Sequence, residues 1–246
     1  MLNPKFSIIT ITFNASSVIA PTLESVLSQT YANYEYILVD GASTDDTVAV
    51  AKASGIDFAH IVSEPDKGLY DAMNKGIALA SGDYLCFLNA GDAFYAKDTL
   101  QTIVDAIAGE DELPDVLYGE TAEVDEQRNF VRMRRLKAPE NLTWRSFRDG
   151  MLVCHQAFYA RREIVPQYDL QYRLSSDVDW CIKVMKRAKK MVNVHAVVVN
   201  YLQNGLSLQH HRASLKERFR VMSRHYGLLP TIGRHIYFVF RAIAKR

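Results

Sequence analysis

Hydrophobic positions in the first 110 residues alternate between two spacings. Short runs rich in β-branched residues are separated by longer stretches whose apolar residues recur at helical intervals. This alternation predicts βαβ units and a mainly parallel sheet flanked by helices. The predicted strands are residues 6–12, 36–39, 58–62 and 84–88, and the predicted helices begin at Ser16 or Ser17, at Thr44 or Asp45, and at Leu69.

A polar residue follows each of these four strands. The fourth strand, 84–88, is almost wholly apolar, which is typical of a strand covered on both faces. The residues at the four exits are Asn14, Asp40, Asp66 and Asp92. Each could be a turn former or a helix cap. However, parallel strands end at one edge of a sheet, where ligands bind in open α/β folds, so we expect the four side chains to converge there.

The second half of the chain has a different pattern. It predicts strands at 115–118, 154–159 and 191–199, a hairpin over 121–136 with its turn at 125–129, and a helix over 178–188. The second arm of the hairpin carries a basic run of Arg132, Arg134, Arg135 and Lys137. A solvated edge strand explains such a run, since charged edges prevent unwanted pairing. A basic wall facing a phosphate-bearing ligand is the alternative.

Bulk charge gives no reason to expect a nucleic-acid partner, because 29 Lys and Arg nearly balance 28 Asp and Glu in 246 residues. Residues 212–246 are an exception, with nine Lys or Arg and one acid, Glu217. Two amphipathic helices packed on the body, or helices lying on an anionic membrane surface, would both produce this pattern. Three widely spaced cysteines and no visible secretory signal predict a cytoplasmic protein, at the inner face of the membrane if the tail binds lipid.

Three common nucleotide or hydrolase motifs are missing: the P-loop, the Gly-x-Gly-x-x-Gly turn and the Gly-x-Ser-x-Gly elbow. A nucleotide site would therefore depend on the acids at the strand exits. Asp92 alone could not hold Mg²⁺ or Mn²⁺ tightly, but Asp92 together with the oxygens of a diphosphate could.

Several linked motifs resemble the inverting family 2 glycosyltransferases, in particular those that build bacterial exopolysaccharide and lipopolysaccharide. The resemblance extends over roughly the first 210 residues. The matching stretches are residues 7–14, 25–31, 36–47 and 63–77, together with His155-Gln156 and Ser176-Asp177.

The resemblance implies a fold of GT-A type that binds a nucleotide-diphosphate sugar, with a C-terminal helical extension. Residues 1–110 would be the nucleotide-sugar-binding half and 111–210 the acceptor half of one domain, and 211–246 a basic helical tail. Asp177 corresponds to the general base that takes the proton of the acceptor hydroxyl. Asp92 corresponds to the last acid of the metal-binding motif, which implies a divalent cofactor, Mn²⁺ or Mg²⁺.

The other implied site residues divide into two groups. Phe13 would stack on the base and Asp40 would read the nucleoside. Further donor contacts are expected from Asn14, Asp66, Asp71 and Asn74. His155, Gln156 and Asp179 are expected on the acceptor side, where Asp179 also competes with Asp177 as the base.

Three positions depart from the family pattern. Gly41 stands where a second acid often follows Asp40, Met73 replaces the usual arginine, and Asn89 replaces the leading acid of the metal motif. The expected partners are a UDP- or GDP-type sugar donor and a polyprenyl-diphosphate-linked saccharide acceptor. The alternative function is a catalytically inactive sugar-nucleotide-binding or scaffold relative in which Asn89 marks a lost metal site.

Overall fold

The structure is a computed structural model that describes residues 2–203 and 211–243. Its strands are β1 (Phe6–Thr12), β2 (Tyr34–Asp40), β3 (His60–Ser63), β4 (Tyr84–Phe87), β5 (Ala93–Phe94), β6 (Val116–Val124), β7 (Phe130–Met133), β8 (Phe158–Arg161) and β9 (Met191–Leu202). Its helices are α1 (Ile19–Leu27), α2 (Thr47–Ala53), α3 (Leu69–Leu79), α4 (Thr99–Asp105), α5 (Ser176–Arg187), α6 (His211–Tyr226) and α7 (Leu228–Ile243).

The strands form one mixed sheet in the order β3-β2-β1-β4-β8-β6-β9-β5, with β7 paired to β6. The first four strands of this order are parallel. Strand β8 then runs antiparallel to both β4 and β6. The parallel arrangement predicted from the βαβ pattern therefore describes the β3-β2-β1-β4 part of the sheet, and the rest is mixed.

Strand β4 lies inside the sheet between β1 and β8, and all four of its residues are buried. Its neighbour β1 is buried along its whole length. The register pairs Thr12 with Asp40, so β1 and β2 end at the same level. The expected common edge for the strand exits is therefore present in the parallel part of the sheet.

One predicted element has a different conformation. The strand expected over 154–159 is a 3₁₀ turn at His155–Ala157 followed by β8. The amide N–H of Ala157 bonds to the carbonyl of Cys154 at 3.0 Å, which closes the turn. The side chains of His155 and Gln156 are buried and bond within the protein, so their polar groups favour a turn here over a continuous strand.

The two tail helices contact the body in different ways. Helix α6 is anchored by His225, whose Nε2 lies 2.7 Å from Asp179 Oδ1, and by Glu217, which accepts the backbone N–H groups of Arg173 and Leu174. Helix α7 leaves Leu229, Ile236 and Phe240 exposed. Within the described residues, no helix has the length and apolar character needed to cross a membrane.

Candidate active site

Asp40, the last residue of β2, is fully buried and accepts four hydrogen bonds. The donors are Thr12 Oγ1 at 2.9 Å, the backbone N–H and Oγ of Ser43 at 2.9 and 2.5 Å, and Ser63 Oγ at 2.7 Å. Burial acts to raise the pKa of Asp40, but the hydrogen bonds from Ser43, Ser63 and Thr12 bring it below its ordinary value. With its pKa lowered, Asp40 is an ionised carboxylate. Its charge is held by hydrogen bonds from neutral donors on three neighbouring segments.

Gly41 follows Asp40 in the chain, and the side chain of Asp66 lies against it. A Cβ atom added at Gly41 would be 2.5 Å from Asp66 Oδ2 and 3.4 Å from the ring of Phe13. The other carboxylate oxygen of Asp66 accepts the backbone N–H of Gly68 at 2.7 Å, which fixes the loop before α3. The Phe13 side chain is 66% exposed. We refer to Phe13, Asp40, Gly41 and Asp66 as the Asp40 cluster. Position 41, where the family often has a second acid, is glycine here, and the second carboxylate of the cluster is that of Asp66, in the loop before α3.

Three further residues that were predicted to contact the nucleotide sugar hold loops in place. Asn14, at φ 47°, accepts the backbone N–H of Thr44 at 2.9 Å and so joins the exits of β1 and β2. Asp71 accepts the backbone N–H of Lys67 at 2.9 Å. Asn74 bonds to both backbone groups of Tyr168, at 3.1 and 2.7 Å, and thereby connects α3 to the second half of the chain.

Asp177 lies in the first turn of α5 and is half-buried. The start of a helix favours a negative charge because the backbone N–H groups there point toward it. The hydroxyl of Tyr70 donates a hydrogen bond to Oδ1 of Asp177 at 3.1 Å. Burial, with a contribution from the charge of Asp177, raises the pKa of Tyr70, so the phenol remains protonated and able to donate.

An aromatic stack supports this contact. Tyr70 stacks on Tyr168 with ring centroids 5.5 Å apart, and Tyr168 stacks on Trp180 at 5.0 Å. The hydroxyl of Tyr168 lies 2.6 Å from His155 Nε2. Burial lowers the pKa of His155 to about 4, although the charge of Asp177 opposes this, so the ring is neutral beside the Tyr168 hydroxyl. The position of Tyr70 beside Asp177 is thus determined by packing against buried rings.

Asp92 is only 4% exposed, and both of its carboxylate oxygens accept hydrogen bonds. Gln156 Nε2 donates to Oδ2 at 2.7 Å, and the backbone N–H of Leu202 donates to Oδ1 at 2.9 Å. Burial raises the pKa of Asp92 to about 7, an effect that these bonds and the charge of Arg128 only partly offset. Asp92 therefore connects the exit of β4 to the turn before β8 and to the end of β9.

Asp92 and Asp177 lie near the same side chains although 85 positions separate them in the chain. Burial is the main reason that the pKa values of Cys154 and Tyr201 are raised, and the charges of both carboxylates add to the effect at each residue. We refer to Asp92 and Asp177, with Tyr70, Gln156 and Tyr201, as the Asp92–Asp177 region. Helix α3 connects it to the Asp40 cluster, since Asp66 precedes the helix and Tyr70 lies in its first turn.

The side chains described around Asp92 offer the predicted divalent ion one carboxylate and one neutral oxygen, so the diphosphate of a donor would have to supply further ligands. Mg²⁺ and Mn²⁺ need oxygen ligands with free lone pairs directed at the ion. Both oxygens of Asp92 already accept hydrogen bonds. Asn89 Oδ1 is buried without a hydrogen-bond partner in the described chain, but it is a single neutral ligand. No group of three His, Cys, Asp or Glu side chains that could hold a metal is found in residues 2–203 and 211–243.

Asp179 does not join the other predicted site residues. It is fully buried, forms an ion pair with Lys183 at 2.6 Å and lies within hydrogen-bond distance of His225 Nε2, at 2.7 Å. Burial acts to raise the pKa of Asp179, and the bonds from His225 and Lys183 bring it below its ordinary value. The contact with His225 attaches α6 to α5. Both contacts favour Asp177 over Asp179 as the candidate base.

The structure also adds residues that the sequence patterns did not single out. Tyr70 lies inside the 63–77 motif, and its phenol could have been noted there. Arg128 is in the predicted hairpin turn at φ 69°, and its Nη1 donates to the carbonyl of Gly91 at 2.5 Å. Tyr201 and Leu202 lie just beyond the predicted end of the last strand. No pattern in the sequence connects these late residues with Asp92.

Sequence comparison identifies similar proteins. The family model "Glycosyl transferase family 2" matches residues 7–168. The PGL/p-HBAD biosynthesis glycosyltransferase Rv2957 of Mycobacterium tuberculosis is 35% identical over 212 residues, covering 83% of this chain and 79% of its own. The amylovoran biosynthesis glycosyltransferase AmsB of Erwinia amylovora is 28% identical over 230 residues, covering 88% of this chain and 76% of its own.

Two solved structures show the same fold at low sequence identity. TarS 1–349 of S. aureus in complex with UDP-GlcNAc has a TM-score of 0.70 at 18% identity and covers 95% of this chain and 73% of its own. The mannosyltransferase PcManGT from Pyrobaculum calidifontis in complex with GDP-Man and Mn²⁺ has a TM-score of 0.62 at 16% identity, covering 95% and 74%. The predicted α/β fold of GT-A type, with helices at the C-terminus, is confirmed.

Proposed function

Since this chain belongs to glycosyl transferase family 2 and is a glycosyltransferase, we propose that it transfers a sugar from a nucleotide-diphosphate sugar to a hydroxyl of a lipid-linked saccharide. The reaction inverts the anomeric centre and contributes to the synthesis of a cell-surface polysaccharide or glycolipid. Two relatives named for PGL/p-HBAD and amylovoran biosynthesis support this setting. A polyprenyl diphosphate is the lipid carrier that we propose for the acceptor.

The observation that carries the proposal is the contact between Tyr70 and Asp177 beside the buried Asp92. Asp177 accepts the proton of the attacking hydroxyl as its oxygen bonds to the anomeric carbon and the bond to the diphosphate breaks. Tyr70 engages Oδ1 and orients the carboxylate, so that Oδ2 can receive the proton. Attack on the face opposite the departing diphosphate inverts the centre.

The Asp40 cluster is the proposed nucleoside site. Phe13 is exposed at the exit of β1 and offers a flat surface on which a base can stack. Asp66 Oδ2 lies beside Phe13 and Gly41, within reach of a stacked nucleoside. Asp40 already accepts four hydrogen bonds, so we assign it the role of holding the Ser43 loop in shape. Asp71 and Asn74 support the neighbouring α3 segment in the same way.

Arg128 is the proposed cation for the donor diphosphate. Its charge acts on Asp92, and its bond to the Gly91 carbonyl directs it to the exit of β4. Neutralising charge that develops on the leaving group is a large contribution to such reactions. The neighbouring Arg134 instead donates to the backbone carbonyls of Leu136, Met151 and Leu152. Arg132 pairs with Glu123 at the surface.

Helix α7 is the proposed membrane contact. Leu229, Ile232, Ile236 and Phe240 recur at helical spacing, and they are 80%, 38%, 52% and 67% exposed. Such a face can enter the interface of a membrane while nearby basic residues bind anionic lipid. Ending the chain after Tyr226 removes α7 but keeps the α6 contacts, so the protein should move from the membrane to the soluble fraction. Unchanged partitioning would contradict this part of the proposal.

The donor assignment can be tested by thermal shift with UDP-, GDP- and dTDP-sugars, each with and without Mn²⁺. One nucleotide class should stabilise the protein, and Asp66→Asn should weaken that stabilisation. The matched control is Asp105→Asn, on the distant helix α4. Lack of stabilisation by any nucleotide sugar would argue against the proposal. Stabilisation that requires Mn²⁺ would support a metal held by Asp92 together with the donor diphosphate.

A further inference from the structure

A cavity of about 260 Å³ lies between the 3₁₀ helix Trp144–Asp149 and the two tail helices. Its lining includes two arginines, Arg148 from the 3₁₀ helix and Arg234 from α7, together with Met222, Tyr226 and Thr231. It is separate from the Asp92–Asp177 region, since none of the residues of that region lines it. The proposed transfer reaction therefore does not account for this cavity.

Arg148 is the least compensated charge in the cavity. Its guanidinium carbon lies 5.2 Å from the ring centroid of Tyr226 and 5.9 Å from that of Trp144, in cation–π contact with both. Its Nε is buried and has no hydrogen-bond partner among residues 2–203 and 211–243. Leaving a buried polar atom without a partner costs free energy, and a charged donor costs more than a neutral one. An acceptor from a bound anion would remove this cost.

The surrounding charges favour an anion. Arg145 and Lys186 lie 4.7 and 4.6 Å from the ring centroid of Trp144, so two more cations are close to Arg148. Two acids oppose these cations. Asp149 is half-exposed and pairs with Arg234 Nη1 at 3.0 Å. The buried Asp179 acts on Lys186 but already pairs with Lys183. A planar guanidinium with free donors matches the oxygens of a phosphate group.

The position of the cavity on α7 suggests where such a phosphate comes from. Thr231 and Arg234 face the cavity, and Leu229, Ile236 and Phe240 lie on the exposed side of the same helix. Gly233 lies between these two sides and lines the cavity. An exposed apolar face next to an arginine-lined cavity matches a lipid, whose chains and phosphate are neighbours in the membrane interface.

We propose that Arg148 and Arg234 bind the phosphate group of an anionic membrane lipid, while the exposed face of α7 enters the interface. This inference rests on the proposed membrane contact of α7 and adds a specific headgroup site to it. This binding would differ from the general attraction of a basic surface to anionic lipid, because it depends on the cavity and above all on the guanidinium of Arg148 in its lining.

Flotation of the full chain with vesicles tests the proposal. Vesicles of phosphatidylcholine containing phosphatidylglycerol should bind the protein more tightly than phosphatidylcholine alone. Arg148→Gln should weaken binding to the anionic vesicles by more than the roughly fivefold effect expected for one basic residue near a membrane surface. The control is Arg220→Gln, on the exposed side of α6 and outside the cavity. Equal losses in the two variants would overturn the cavity site.

Gly233 allows a second test that leaves the arginines in place. Gly233 lines the cavity, and a Cβ added there meets no atom within 4 Å, so a side chain can be introduced at this position without a clash at Cβ. Gly233→Glu would place a carboxylate near the two arginines and should lower binding to anionic vesicles. Gly233→Gln has the same size without the charge and should keep most of the binding. Similar binding by both variants and by the wild type would contradict the proposal.

Two further readouts separate the possible explanations. If the wild type fails to bind anionic vesicles, the membrane contact itself is wrong, whereas wild-type binding with no Arg148 effect overturns only the headgroup site. Inorganic phosphate in a thermal-shift assay tests the source of the anion. Arg148-dependent stabilisation by phosphate, without an Arg148 effect on vesicles, would replace the lipid by a soluble phosphate and overturn the lipid assignment. Transfer to a soluble acceptor should be unchanged in Arg148→Gln.

Discussion

Among residues 2–203 and 211–243, Asp40 accepts four hydrogen bonds from neutral groups, whereas Asp177 accepts one, from Tyr70. Asp40 is fully buried, and Asp177 is half-buried at the start of a helix. A carboxylate with every oxygen engaged stabilises the loop around it, and one with an open oxygen can accept a proton. We therefore propose a structural role for the carboxylate of the Asp40 cluster and a chemical role for Asp177 in the Asp92–Asp177 region.

The two regions also differ in how the chain builds them. The Asp40 cluster comes from the exits of β1, β2 and β3, which are consecutive in the sequence and adjacent in the sheet. The Asp92–Asp177 region combines α3, the exit of β4, the turn before β8, α5 and β9. The first region therefore forms from local βαβ units, and the second requires both halves of the sheet to be assembled.

The largest effect is expected at Asp177. Asp177→Asn cannot accept the proton of the attacking hydroxyl, so kcat should fall about 10²- to 10⁴-fold. Thermal stability should change little, since one hydrogen bond from Tyr70 is affected. Asp179→Asn is the matched control: it weakens the contacts with Lys183 and His225 and should lower the melting temperature while the folded enzyme keeps its kcat. The reverse result would assign the base to Asp179.

Asp40→Ala should reduce stability more than chemistry. The change leaves the hydroxyls of Thr12, Ser43 and Ser63 without their acceptor. Each unsatisfied donor in a buried site costs about 1–3 kcal/mol, and partial solvation of the Ser63 site reduces the sum, so we expect a loss of roughly 3 kcal/mol in the free energy of unfolding. Denaturant titration measures it. Unchanged stability with lost donor affinity would show instead that Asp40 contacts the nucleoside directly.

The contrast between the two regions explains what the sequence could predict. The strand exits at Asn14, Asp40, Asp66 and Asp92 follow from hydrophobic periodicity, because each βα unit carries its own pattern. The turn containing Arg128 was predicted for the same local reason. By contrast, the bond between Tyr70 and Asp177 joins residues 107 positions apart, and the bond between Leu202 and Asp92 joins residues 110 apart. No local pattern in the sequence links residues that are so far apart along the chain.

Asp92 as a metal ligand stays a prediction, and its surroundings show the same limit of the sequence. The sequence places Asp92 at the end of a buried strand, and that position is correct. It does not reveal that Gln156 donates to the carboxylate, because residue 156 lies in a turn that the pattern presented as a strand. The role of an acid at a strand exit therefore depends on which distant donor reaches it.

Arg128→Gln tests whether a protein cation serves the donor diphosphate. Loss of one charge-assisted contact of about 1.5–3 kcal/mol should lower kcat/KM roughly tenfold to a hundredfold. Arg132→Gln is the control from the same hairpin, since Arg132 pairs with Glu123 at the surface and should have little effect. Measuring both at several Mn²⁺ concentrations is informative. If added metal restores the activity of Arg128→Gln in full, the diphosphate charge is carried by the metal.

Gly41→Ala probes the space inside the Asp40 cluster. The new Cβ would lie 2.5 Å from Asp66 Oδ2, so the Asp66 carboxylate has to move. Overpacking of this kind costs about 1–3 kcal/mol, and we expect the low end because a carboxylate end can shift. Isothermal titration should show weaker donor binding. Gly109→Ala, where a Cβ meets no atom within 4 Å, is the control. Unchanged donor affinity in Gly41→Ala would remove Asp66 from the nucleoside site.

The smallest expected effect is a pH dependence that distinguishes the two regions. The pKa of His155 is about 4 in the folded protein, below its unfolded value near 6.5, so the unfolded chain takes up a proton first as pH falls. The stability contributed by neutral His155 is present above pH 6.5 and is lost progressively toward pH 4, by about 1 kcal/mol at pH 5.5. Asp40, whose pKa is lowered, keeps its contribution until the pH is below the ordinary range of an aspartate.

His155→Gln should therefore flatten the stability profile between pH 7 and pH 5, roughly the window set by the His155 pKa. Comparison with the wild type cancels the opposite contribution of Asp92, whose pKa is raised to about 7. A profile unchanged by His155→Gln would show that folding does not lower the pKa of His155, and the ring could then be protonated beside Tyr168 at mildly acidic pH.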